Sequence, residues 1–188
     1  MKARYLCLLS LCLLPSLASA HPGHNEVVGF IAGASHPWFG LDHFLAMLAV
    51  GMWAAQLRGN LRWQVPLCFV GMMLLGAILG FGGIHLGAVE QVIATSVVVL
   101  GLLLASAKQL PTLACIVLTG CFAMFHGYAH AMEFISSNAL LYMAGMTVST
   151  AVLHAIGLGF AIMLSQYQHA VRWTGVAIAS SGMAMMFS

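Results

Sequence analysis

The chain has 188 residues, 62% of them hydrophobic and only 5% charged, with a formal charge of +2. A soluble domain carries roughly 25% charged residues, so this composition excludes an ordinary soluble domain and points to one compact membrane domain. The net charge is too small to suggest a nucleic-acid partner.

Residues 1–20 have the build of a cleaved secretory signal peptide. Lys2 and Arg4 make a positive start, residues 5–14 form a short apolar run, and Ala18-Ser19-Ala20 is a small-residue cleavage site. Cleavage would make His21 the new N-terminus, leaving 21–188 as a single transmembrane helical domain. His21, His24 and Glu26 then open the mature chain, either as a metal-gathering start or as a solvated terminus. Residues 27–35 are moderately apolar and suit a short re-entrant or interfacial segment. His36-Pro37 looks like a helix start, because proline is tolerated at the first helical position.

Six spans are predicted from there, at about residues 37–57, 63–84, 91–107, 112–130, 139–164 and 173–187. Gly71, Gly76 and Gly80 offer small surfaces for close helix packing in the second. The fold class is therefore all-α, a polytopic bundle in the lipid bilayer. Cys68, Cys115 and Cys121 lie within apolar runs and read as small buried hydrophobes, not a disulfide framework. The many methionines read as core or lipid-facing filler.

The charges fix an orientation. With His21 outside, the loops after the first, third and fifth spans are cytoplasmic, and they hold Arg58, Arg62, Lys108 and Arg172. Those are all the Lys and Arg residues of the mature chain, as the positive-inside rule asks. The acids and most of the histidines fall on the outer side, where they would attract cations.

Two clusters carry the chemistry. In Phe125-His126-Gly127-Tyr128-Ala129-His130-Ala131-Met132-Glu133, helical spacing puts His126, His130 and Glu133 within an arc of about 60°. In His36-Pro37-Trp38-Phe39-Gly40-Leu41-Asp42-His43, His36 and His43 share a face if the helix begins near His36. Asp42 is then about 120° from His36, so it either reaches the site through irregular geometry or orients a histidine. Ionisable groups in hydrocarbon are costly and mark pathways or bound ions. Imidazole and carboxylate suit nickel, cobalt, zinc or iron, and the two acids would neutralise a divalent ion. His154, near the middle of the fifth span, is either a relay ligand or a helix–helix hydrogen bond.

His36-x5-Asp42-His43, with Leu45-Ala46-Met47 and Gly51-x-Trp53-Ala54-Ala55, resembles the first signature of the HupE/UreJ family. Phe125-His126-Gly127-x-Ala129-His130-x-x-Glu133 resembles its second, and the likeness spans essentially the whole chain. Ala131 departs from the glycine the family often has there, which leaves the ligands in place and changes local packing. The first motif is also one residue longer than the His-x4-Asp-His motif of another nickel/cobalt permease family. The resemblance implies a secondary permease of the bacterial inner membrane for Ni2+ or Co2+, serving hydrogenase, urease or cobalamin maturation systems. An intramembrane hydrolase is the other class: the histidines would hold Zn2+ while Asp42 or Glu133 activates water. The chain lacks the H-E-x-x-H pattern of a zincin.

Overall fold

A computed structural model describes residues 25–134 and 138–187. The predicted signal peptide at 1–20, His21, His24 and the turn at Ser136-Ser137 lie outside the described residues.

Among the described residues the chain is all-helical: α1 (Asn25–Phe39), α2 (Leu41–Gln56), α3 (Leu61–Phe81), α4 (Val89–Ser106), α5 (Thr112–Met132), α6 (Ala139–Met163) and α7 (Gln168–Met185). An apolar segment in lipid must satisfy its own backbone hydrogen bonds, and the helix does so within one segment. Four helices, α3 to α6, are long and apolar enough to cross a membrane. A fifth crossing arises if α1 and α2, bent by 81°, count as one broken span. The sixth predicted span corresponds to α7, which does not meet the same test of apolarity and length.

The bend corrects the expected start of the first span. His36 and Pro37 lie in the last turn of α1, not at the start of a helix. The break falls at Gly40, whose backbone is extended (φ −81°, ψ 108°), and α2 begins one residue later. Pro37 has no N–H to donate to the preceding turn, which weakens the end of α1. The new helix starts where Phe44 N–H donates to Gly40 O at 2.8 Å. His36 and His43 therefore sit on two helices that meet at a corner. The expected re-entrant segment at 27–35 is part of α1.

Glycines set the helix pairing. A Cβ on Gly51 of α2 would collide with the His154 carbonyl of α6, and one on Gly157 of α6 would collide with the Leu48 carbonyl of α2. The same reciprocal arrangement joins α3 to α5 through Gly76 and Gly127, α1 to α6 through Gly33 and Gly145, and α4 to α7 through Gly101 and Gly175. Small residues let backbones approach closely where no hydrophobic effect drives helices together. Gly76 and Gly80 serve as expected, whereas Gly71 has nothing within 4 Å. At the centre runs α2, with Ala46, Met47, Ala49, Val50, Met52, Trp53 and Ala54 wholly buried. A helix apolar and buried all round is the core of its bundle. Its N-terminal end carries His43, and its C-terminal end meets the loop that holds Arg58.

Candidate metal centre

Three elements bring the candidate ligands together. The end of α1 supplies His36, the first turn of α2 supplies Asp42 and His43, and the last turns of α5 supply His126, His130 and Glu133. At the exposed side, one donor atom each from His36, His130 and Glu133 lies within 4.8 Å of the others, a spacing that suits one metal ion. His36 Nε2–H donates to Glu133 Oε2 at 2.7 Å. That hydrogen bond holds the Glu133 carboxyl, just beyond the end of α5, below the usual carboxylate range.

Below this mouth the rings form a ladder into the bundle. Centroids of His36 and His130 are 5.0 Å apart, those of His130 and His43 are 4.2 Å, and those of His43 and His126 are 4.8 Å. The ring of Phe69 follows, 5.7 Å from His126 and 5.0 Å from His154. His36 is 30% exposed in its side chain and Glu133 is 45% exposed, whereas His126 and His130 are wholly buried. The ladder thus runs from an open mouth to a closed interior.

Second partners fix which nitrogens are free. Asp42 Oδ1 accepts from His43 Nδ1–H at 2.8 Å and from the His43 backbone N–H at 2.7 Å. Protonation at Nδ1 leaves the lone pair on His43 Nε2, which is buried without a partner among the described residues. Ser96 Oγ–H donates to Ile93 O at 2.7 Å, so at 2.9 Å the hydroxyl oxygen can only accept from His126 Nε2–H. The lone pair of His126 is then on Nδ1, also buried without a partner. Both ring nitrogens of His130 are in the same state. Buried polar atoms without partners are costly and rare, and unpartnered imidazole nitrogens on closely spaced rings are groups that a bound cation would satisfy.

Sequence reasoning placed His126 and Glu133 together on one helix face. The structure separates them: Glu133 works with His36 and His130 at the mouth, and His126 stands a tier deeper with His43 and Ser96. Asp42 takes the orienting role toward His43, one of the two roles open to it. Beside it, a cavity of ≈ 500 Å³ is lined by Asp42, Glu90 and Gln91, which makes a second acidic approach. His154 lies beyond Phe69, buried, with neither ring nitrogen partnered among the described residues. One turn away on α6, Thr150 Oγ1 donates to Met47 Sδ at 3.3 Å and stands 3.6 Å from Met73 Sδ, so these two core methionines also face a polar group. Ser96, Phe69 and Tyr142 were not singled out from the sequence. Ser96 left one signal, the hydroxyl pair Thr95-Ser96 inside the largely aliphatic run 92–104. The Tyr142 hydroxyl is buried without a partner, and its ring is 6.0 Å from that of His36.

The family described as HupE / UreJ protein matches residues 9–185 of this chain. Protein HupE of Rhizobium leguminosarum bv. viciae is 43% identical over 182 residues, covering 95% of this chain and 94% of that protein. No solved structure matches the chain.

Proposed function

The chain belongs to the HupE/UreJ family, and from that footing we propose that it is a secondary permease for Ni2+ or Co2+. The observation that carries this reading is the ladder of imidazoles, with lone pairs unpartnered, that starts at a carboxylate-bearing mouth. In the proposed cycle Glu133 and Asp42 attract and neutralise the divalent ion. His36, His130 and Glu133 replace part of its water. His43 and His126, oriented by Asp42 and Ser96, take it deeper. Imidazole donors suit nickel and cobalt, and a site with several similar donors lets the ion move by exchanging one ligand at a time. Phe69 closes the way between His126 and His154, so the ion passes only when the bundle rearranges there. His154 is then the next ligand on the path inward.

In this reading the bundle crosses the bacterial inner membrane six times, α1 and α2 making one broken span and α7 the last. The mouth faces outward. The basis is charge: Arg58, Arg62, Lys108 and Arg172 follow α2, α4 and α6 at the opposite end, where the positive-inside rule puts the cytoplasm. A cleaved signal would leave His21 and His24 outside as a metal antenna for the mouth. The ion delivered would serve nickel or cobalt enzyme maturation. The hydrolase reading of the same cluster is not favoured by the family match.

The test is accumulation of radioactive nickel and cobalt by cells that depend on this protein for uptake. Accumulation should rise with the wild type and stay at background with His130→Ala. No accumulation of any divalent metal at normal membrane levels would reject the permease.

A further inference from the structure

At the end of the bundle opposite the histidines, a cavity of ≈ 470 Å³ opens between α2, α3, α4, α6 and α7. Its wall includes Arg62, Arg172, Gln56, Gln109, Gln168 and Ser165. We propose that this cavity binds the phosphate of an anionic phospholipid headgroup.

Two guanidinium groups line the cavity and no acid does. Asp42, Glu90 and Glu133 all lie at the other ends of their helices. Among the described residues no arginine or lysine makes an ion pair. Among the described residues Arg172 gives only its Nε–H, to Ala105 O at 2.8 Å, which leaves its two terminal nitrogens available. Arg62 makes no hydrogen bond or ion pair among the described residues. Such forks match a phosphate by paired hydrogen bonds, and uncompensated cations in a recess draw an anion.

The N-cap of α7, Tyr167, makes no side-chain cap, and the first helical residue, Gln168, lines the cavity. Ala170 N–H gives to Tyr167 O, while the N–H groups of Gln168 and His169 make no hydrogen bond among the described residues and add donors of the kind that receive phosphate oxygens.

Apolar side chains beside the cavity favour a lipid over a free anion. Each arginine is followed by an exposed tryptophan: Trp63 is 61% and Trp173 is 70% exposed. Tryptophans at the end of a span sit at headgroup level. Ile162, on the cavity wall, and the neighbouring Met163 are exposed apolar side chains suited to an acyl chain. A basic pocket between helices at this level fits an anionic headgroup.

The test uses the full-length protein, delipidated in detergent, with native mass spectrometry and thermal unfolding as readouts. The probes are phosphatidylglycerol, phosphatidylcholine and inorganic phosphate. One phosphatidylglycerol should stay bound where phosphatidylcholine is shed. Arg62→Gln with Arg172→Gln should weaken that binding about tenfold or more, and Arg58→Gln, outside the cavity, should not. If the double variant loses its helical circular dichroism, each single variant takes its place with a loss of about threefold or more expected. Equal retention of the two lipids, or binding indifferent to the cavity arginines, would overturn the proposal. Inorganic phosphate protecting as well as phosphatidylglycerol at equal concentration would assign the cavity to a free anion and overturn the lipid source.

Discussion

Ser96 Oγ stands 2.9 Å from His126 Nε2 while its own proton is given to Ile93 O. The serine therefore fixes the tautomer of a buried histidine on the neighbouring helix. If His126 Nδ1 is a metal donor, Ser96→Ala should lower apparent metal affinity about 10- to 100-fold, the usual effect of losing such an orienting partner. Ser96→Thr keeps the hydroxyl and should stay near wild type. A metal titration of uptake checks both, and an unchanged curve for Ser96→Ala would remove His126 from the path.

Gly51 and Gly71 make opposite predictions from the same residue type. A Cβ at Gly51 meets the His154 backbone, while one at Gly71 meets nothing within 4 Å. Gly51→Ala should destabilise the bundle by about 1–3 kcal/mol through overpacking and displace α6 with His154. Gly71→Ala should be neutral or stabilising by up to about 1 kcal/mol, since alanine is the better helix former. Melting temperatures in detergent distinguish the two.

The four long spans were legible from apolar length alone. The expected 63–84, 91–107, 112–130 and 139–164 became Leu61–Phe81, Val89–Ser106, Thr112–Met132 and Ala139–Met163. The corner at Gly40 was not legible. The chain is apolar on both sides of it, and a proline in the last turn of one helix looks like a proline in the first turn of the next. Helical spacing correctly turned His126 and His130 inward. It could not show that His36 arrives from another helix to take Glu133, because that contact joins residues 97 positions apart. Ser96 escaped notice because a hydroxyl in a span commonly bonds back to its own helix, as Thr95 and Ser96 both do here.

Uptake should fall as external pH drops from about 7 to about 5. Protons compete with the metal for imidazole lone pairs, and an ordinary imidazole gains its proton below about 6.5. Binding capacity should therefore be greatest near pH 7 and decline toward the acid end of the range. Glu133 adds no titration in this window, because the hydrogen bond from His36 lowers its pKa and keeps it ionised. Initial rates across the range check this, and a steady rise toward pH 5 would point instead to proton-driven symport.

Topology is tested at Asn60, an exposed residue of the α2–α3 turn whose side chain caps nothing. In a chain without other cysteines, Asn60→Cys should be shielded from a membrane-impermeant maleimide in intact spheroplasts and labelled after lysis. Labelling before lysis would invert the orientation and put the histidine mouth in the cytoplasm.

On the permease reading, the ion held by His36, His130 and Glu133 is the ion carried across. Purified protein in sealed proteoliposomes should move nickel or cobalt into the lumen. Glu133→Gln, which keeps the size of the side chain but removes its charge, should cut the rate at least about tenfold, the usual lower bound for losing a metal ligand's contribution. Wild-type flux by Glu133→Gln and by His130→Ala, in vesicles holding equal amounts of protein, would contradict the account.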